Sequence, residues 1–351
     1  MLKTNGKKLW EACGVDAVYL TCDYMMRYAT GFAAENGFVI IDKNGTMLFT
    51  DMRYIEAAKK LFEGSEVTPA LFKSGEALER LKSYESVGIS FSETSHLAYM
   101  RLEQAGVKLV NIDETISKLM LVKNEWEIEN IQKACEIAED AFNALLPQIK
   151  EGMTEIEVAA LLEFTMRKMG AQGVSFDTIV GFGSHGSVPH HETGTAKLKF
   201  GDIILIDFGC KVNGYCSDCT RTFLFGDDGN HEEFKQNYKH VLRAHELVQE
   251  QLVSGMTGKQ ADAIARDYLT EQGVGDLFTH SLGHGVGLNI HEAPSLSVKG
   301  ETVLQDGMVF TDEPGVYKEG QYGIRIEDTV YLKDGKVKSF MSKTDKKLVI
   351  L

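Results

Sequence analysis

GDIILIDFGCKVNGYCSDCTRTFLF, residues 201–225, is the stretch that decides how this chain folds. Ile203-Ile204-Leu205-Ile206 is a short, β-branched apolar run, so it reads as a buried strand ending at Asp207. Asn213-Gly214 is a hairpin turn signal, and a second strand should run from Tyr215 to Phe225. A turn centred between Val212 and Asn213 sets Asp207 opposite Asp218. Direct cross-strand neighbours have Cβ atoms roughly 4.5–5.5 Å apart, and like charges there destabilise a sheet. Residues 307–329, GMVFTDEPGVYKEGQYGIRIEDT, repeat the device, with Glu313 and Glu327 equidistant from Gly320. Phe208, Phe310 and Ile326 lie beside these acids and argue that the strand ends are buried rather than solvated.

Two opposed acid pairs need a counter-charge. With His284, in SLGHGVGL, the set Asp207, Asp218, Glu313 and Glu327 is oxygen-rich and carries a formal charge of about −4, which a protein interior tolerates only when cations neutralise it. Two divalent ions would balance it, and paired metals serve hydrolysis. The residues point to a dinuclear metal-dependent hydrolase, and the best reading is a metallopeptidase.

The second part of the chain is duplicated. Glu151-Gly152-Met153-Thr154 returns as Ser254-Gly255-Met256-Thr257. In each copy the threonine precedes Glu157 or Gln260 by three residues, a capping box opening a helix, and each helix should end near a glycine, Gly170 or Gly273. Residues 201–209 echo 307–315, and Asp218-Cys219-Thr220 echoes Glu327-Asp328-Thr329. Each half contributes a helix, a hairpin and an acid pair, so the metals belong between pseudo-symmetric halves.

A boundary is expected near residues 117–124, giving domains 1–120 and 121–351. Before it, Phe38-Val39-Ile40-Ile41 and Met47-Leu48-Phe49 flank Lys43-Asn44-Gly45 as a hairpin, with a helix from about Arg53 and alternating strand and helix signals of a small α/β domain. After it, Asn124 with Glu127 opens a long helix whose apolar positions Ile128, Ile131, Cys135, Ala138, Phe142 and Leu145 keep helical spacing. The fold class is α+β.

The 351 residues are 43% hydrophobic with a net charge of −14, which argues against a nucleic-acid partner. No secretory h-region and no long apolar span is visible, so no membrane contact and a cytoplasmic location are expected. The six cysteines form no disulfide framework, and the lone Cys216-Ser217-Asp218-Cys219 has no second CxxC to complete a zinc site. They read as small core residues, with Cys216 close enough to the acids to be an oxidation liability.

These motifs resemble the creatinase/aminopeptidase P/prolidase family. The phrases IDFG, YCSDCTRT, SLGHGVGL, TDEPG and RIEDTV match in order and spacing, and Tyr28-Ala29-Thr30-Gly31-Phe32 and Thr50-Asp51-Met52-Arg53-Tyr54 look like its first domain. The resemblance implies a pita-bread catalytic domain, a duplicated helix-hairpin, after a smaller creatinase-type α/β domain. It implies that Asp207 binds one metal, His284 and Glu313 the other, and that Asp218 and Glu327 bridge both. With all five intact, a creatinase-type enzyme without the metal pair is disfavoured.

By the same resemblance His190 contacts substrate, His291 supports the tetrahedral intermediate and His280 lines the site; Arg325, two residues before Glu327 on the same strand face, is expected to orient the acids and is counted with the substrate-binding residues. The activity implied is hydrolysis of the bond before proline in small proline-containing peptides, by a metal-bridging hydroxide with Glu313 relaying the proton. The enzyme would be an Xaa-Pro dipeptidase or an Xaa-Pro aminopeptidase, and a homodimer. A donor set dominated by oxygen suits Mn²⁺, with Co²⁺, Fe²⁺ or Zn²⁺ as substitutes. A dipeptidase needs a cation for its product carboxylate; between His291 and Glu313 the chain offers only Lys299 and no arginine. The alternatives are an aminopeptidase of different specificity, or a non-catalytic binding protein on the same fold, which loss of ligands would mark.

Overall fold

Alternating strands and helices over the first third build a six-stranded mixed sheet. Its strands are β1 (Ala17–Leu20), β2 (Phe38–Asp42), β3 (Gly45–Thr50), β4 (Val67–Leu71), β5 (Val87–Ile89) and β6 (Leu109–Asn111), in the order β4-β3-β2-β1-β5-β6. Helices α1 (Gly6–Cys13), α2 (Asp23–Thr30), α3 (Ile55–Leu61), α4 (Glu76–Leu81), α5 (His96–Gln104) and α6 (Asp113–Leu121) alternate with them. The β2–β3 hairpin forms at the expected turn, with Asp42 opposite Gly45 and Phe38 stacked on Phe49 at 4.7 Å. The following helix begins at Ile55 rather than Arg53, because Asp51 caps the intervening turn by accepting the Arg53 N–H at 2.9 Å.

This computed structural model describes residues 4–351 and divides the chain at Met120/Leu121. The second unit is organised by its repeat. Helices α7 (Glu125–Leu145), α8 (Glu155–Lys168), α9 (Glu232–Gln251) and α10 (Gly258–Glu271) alternate with β7 (Ile179–Phe182), β8 (Ile203–Phe208), β9 (Lys211–Val212), β10 (Tyr215–Cys216), β11 (Cys219–Leu224), β12 (Gly283–Gly285), β13 (Glu292–Leu296), β14 (Val309–Asp312), β15 (Gly315–Lys318), β16 (Tyr322–Arg325), β17 (Glu327–Lys333) and β18 (Lys336–Ser339). Asn124, Thr154 and Thr257 each make complete capping boxes, with Glu127, Glu157 and Gln260. Gly170 and Gly273, just past α8 and α10, take positive φ, as a helix C-terminus favours.

The large sheet runs β13-β12-β14-β17-β11-β8-β7, and the two halves meet where β11 pairs β17, Cys219 with Asp328 and Thr220 with Glu327. Alternation then sorts the side chains. Phe208 and Phe223 pack under Phe142 of α7, Phe310 and Val330 pack in the core of α9 and α10, and the acids emerge on the opposite side.

One register differs from expectation. Asp207 pairs with Thr220, not Asp218. Asn213 (φ 50°) and Gly214 (φ 85°) are both left-handed and form the two central residues of the turn, so its centre falls between them, one residue later than the sequence reading. The second strand is also broken at Ser217-Asp218. A displacement of two in the partner keeps both acids on one face; a displacement of one would have turned Asp218 away. In the second half the ladders on either side, Asp312 with Asp328 and Gly315 with Arg325, keep Glu313 and Glu327 opposite as read. Between these ladders the hairpin splits into β14–β17 and β15–β16.

Candidate metal centre

Asp207, Asp218, His284, Glu313 and Glu327 all line one cavity of about 390 Å³, and His190, His280, His291 and Arg325 line it with them. Asp207 projects from β8, Asp218 from the break between β10 and β11, His284 from β12, Glu313 from just beyond β14, and Glu327 from the start of β17. Asp218 is fixed through its backbone: Thr329 Oγ1 accepts its N–H at 3.0 Å and donates to its carbonyl at 2.8 Å.

The polar contacts divide into held and unheld atoms. Arg325 Nη2 donates to Asp207 Oδ2 (2.7 Å), Nε to Thr220 Oγ1 (2.9 Å) and Nη1 to the Tyr317 hydroxyl (2.6 Å), while Thr220 donates to Glu327 Oε2 (2.5 Å). Tyr317 in turn reaches His280 Nε2 at 2.9 Å, and His280 Nδ1 faces the Ser281 carbonyl at 2.8 Å. Burial first, then Arg325, lowers His280 to about 3, so it is a neutral acceptor. Thr311 donates to Glu313 Oε1 at 2.8 Å.

His284 Nδ1 faces the Gly285 carbonyl at 3.1 Å, which leaves Nε2 as a bare lone pair. That lone pair stands 3.5 Å from Asp218 Oδ2 and 3.4 Å from Glu313 Oε1, and burial holds the imidazole below its ordinary value. Lone pairs facing one another at such distances are arranged for a cation, not a hydrogen bond. Asp218, His284 and Glu327 offer ligand atoms all within 4.8 Å of one another, and Asp207 Oδ1 is buried with no hydrogen-bond partner. Burial, then the mutual repulsion of the acids, lifts Asp218 and Glu327 well above the carboxylate range, and burial lifts Glu313 to about 8. The donor set fits a pair of hard divalent ions.

These shifts fix a pH dependence. Glu313 is raised from 4.5 to about 8 in the metal-free protein, so between those values the folded chain holds a proton that the unfolded chain has lost. The metal-free protein should therefore become less stable as pH rises through that window, and added divalent metal should stabilise it more at pH 8 than at pH 5. Thermal unfolding of chelator-treated protein across that range checks the sign; a rise in stability with pH would contradict it.

Behind the acids, on the helix-covered face, lies a second charged layer. Asp312 and Asp328 pair directly across β14 and β17, each adjacent in sequence to a cavity glutamate. His245 of α9 sits between them, 3.1 Å from Asp312 Oδ2 and 3.6 Å from Asp328 Oδ2, and Arg221 (2.9 Å) and Lys346 (3.0 Å) complete the layer around Asp328. Burial opposes charge on His245, but the two aspartates outweigh it and raise it to about 9.

The His291 segment has its own anchor. Lys123 Nζ contacts Glu292 Oε1 at 2.6 Å, and both side chains are buried. Lys123→Met should leave Glu292 uncompensated and cost about 3–5 kcal/mol, measurable by urea unfolding.

Sequence reasoning missed Thr220, Thr311 and Tyr317. Thr220 does carry a signal, two residues beyond Asp218 on the strand expected from Tyr215 to Phe225. Tyr317 carries none until the β15–β16 hairpin sets it two residues from Gly315, the partner of Arg325. Cys216 does not line the cavity; its sulfur approaches the Leu288 carbonyl, and all six cysteines are free thiols.

Comparisons with known proteins agree with this architecture. Residues 5–122 match the creatinase/prolidase N-terminal domain and residues 129–334 match metallopeptidase family M24. The chain is 38% identical to the Xaa-Pro dipeptidase of Pyrococcus furiosus over 345 residues, 97% of each chain. Among solved structures, the Xaa-Pro dipeptidase from Bacillus anthracis superposes with a TM-score of 0.91 at 36% identity, covering 99% of this chain and 98% of that one. The X-Pro aminopeptidase from Thermotoga maritima superposes at 0.90 and 35% identity, covering 99% and 100%.

Proposed function

Because the chain belongs to metallopeptidase family M24, we propose that its cavity hydrolyses the peptide bond preceding proline. One observation carries the reading: the bare Nε2 of His284 and four carboxylates converge in a cavity that three further histidines also line. Asp207, Asp218, His284, Glu313 and Glu327 would hold two divalent ions, whose chemistry when bound is to acidify a water and polarise a carbonyl. Glu313 accepts the proton of the attacking water and delivers it to the prolyl nitrogen, a leaving group that must be protonated to depart. His291 donates to the oxygen that gains charge, and His190 and His280 orient the peptide. Arg325 has its donors engaged by Asp207, Thr220 and Tyr317, so its part is to hold the acids rather than to bind substrate. All five ligand candidates are present, and nothing favours the non-catalytic alternative.

Charge in the cavity bears on peptide length. Among the described lining residues the one cationic side chain is Arg325, already paired, and Asp177 adds an exposed acid. The free carboxylate of a dipeptide would find no unpaired cation there, whereas a longer peptide presents a neutral amide at that position. We read the enzyme as an Xaa-Pro aminopeptidase, with Gly-Pro-Gly cleaved at higher kcat/KM than Gly-Pro. Preference for Gly-Pro would reverse that assignment, and cleavage of neither by the metal-loaded protein would sink the peptidase reading itself.

Manganese is proposed from the four carboxylates and single imidazole. The unpaired cysteines support a reducing compartment, hence the cytoplasm. No helix among the described residues is long and apolar enough to cross a membrane. Pairing of two chains is proposed from the family resemblance, and sedimentation of the metal-loaded protein tests it.

A further inference from the structure

Glu155, the first residue of α8, is buried beneath the segment that carries His190. Its Oε1 accepts the Phe182 N–H at 3.0 Å and meets His185 Nδ1 at 2.7 Å; its Oε2 accepts the Gly194 N–H at 3.0 Å and meets His191 Nε2 at 3.0 Å. The three side chains are close enough to surround a cation. Two hydrogen bonds on each oxygen use the in-plane lone pairs, however, so the carboxylate has none left to offer a metal. The four donors bracket residues 182–194, and Pro189 and His190, inside that bracket, line the catalytic cavity. No regular strand runs between β7 and β8, so the direction of His190 depends on such anchors.

The second half of the repeat solves the same problem differently. Gly258 is the first residue of α10 and corresponds to Glu155. Both helix starts donate their first N–H to the chain that follows, Glu155 to Ala196 at 3.1 Å and Gly258 to Thr302 at 3.0 Å, but a Cβ on Gly258 would fall 2.1 Å from the Ser295 carbonyl. The helix thus abuts directly the chain that follows His291. In the first half the corresponding gap is spanned by a carboxylate.

We infer that Glu155 is a positioning residue for His190, a buried strut that aims the imidazole into the cavity. The inference rests on the reading of His190 as a substrate contact. Glu155→Gln keeps the shape but turns one acceptor into a donor that faces N–H groups. In metal-loaded enzyme acting on Gly-Pro-Gly, it should lower kcat/KM by about 10²-fold, the scale of a displacement near 1 Å.

The loss should divide between kcat and KM as it does for His190→Ala, with bound metal unchanged, and the double variant should be no worse than His190→Ala alone. Fully multiplied losses in the double variant, or a lower Tm with kinetics unchanged, would overturn the strut. A silent His190→Ala would bring down the substrate contact and the strut with it; a damaging His190→Ala beside a silent Glu155→Gln would remove only the strut. Should Glu155→Gln fail to fold, His185→Ala and His191→Phe, each removing one arm, carry the same comparison.

Discussion

Asp218→Asn should empty the centre of both metals and reduce kcat/KM by well over the roughly 100-fold that follows when only an outer partner of a ligand is lost. Asp218 is buried in the break between β10 and β11, and Thr329 holds its backbone on both sides. The side chain cannot swing aside, so asparagine would keep the position while exchanging an anionic oxygen for an amide. If Asp218 serves both ions, neither is retained, and metal analysis of the purified variant should find less than one equivalent. One ion at full occupancy would contradict the bridging role. Stability should move the opposite way. In wild type without metal, Asp218 is lifted by burial and then by Glu327, Asp207 and Glu313. Removing one acid relieves that repulsion, so metal-free Asp218→Asn should melt above metal-free wild type at pH 8. A loss of activity with a lower melting temperature would indicate misfolding instead.

His291→Ala should lower kcat by about 10²–10³-fold, the scale of one oxyanion donor, while KM changes far less. His291 opens onto the cavity with its ring 4.3 Å from that of His284. The neighbouring Lys123–Glu292 anchor does not involve the His291 ring and is kept by the substitution, so folding should survive. An unchanged kcat removes His291 from the chemistry; a change confined to KM makes it a binding residue.

Much of the fold was legible because its determinants are local. Capping boxes at Thr154 and Thr257 and the glycines past each helix announce the repeat, and the repeat announces that the acids come in pairs. The Glu313/Glu327 register could be read because the ladders on both sides of it share one centre. The Asp207/Asp218 register was misread, because the turn was centred before Asn213 although Asn213 and Gly214 are its two central residues; the break at Ser217-Asp218 carries no such signal. Convergence survived that error since the shift was even. The cavity residues were legible through motif spacing. The residues that support them were not: Glu155, Lys123 and His245 act across long sequence separations, and nothing in their own neighbourhoods distinguishes them from ordinary helix or linker residues.

The β11–β17 pairing has a consequence for ancestry. Neither half alone carries a complete ligand set: one supplies Asp207 and Asp218, the other His284, Glu313 and Glu327. A progenitor of half the length could have gripped metal only by associating with its own twin about a two-fold axis. Carrying both halves in one chain makes that partnership permanent and frees them to differ. A carboxylate and a glycine could then come to occupy matched helix starts, and a single half could keep the imidazole.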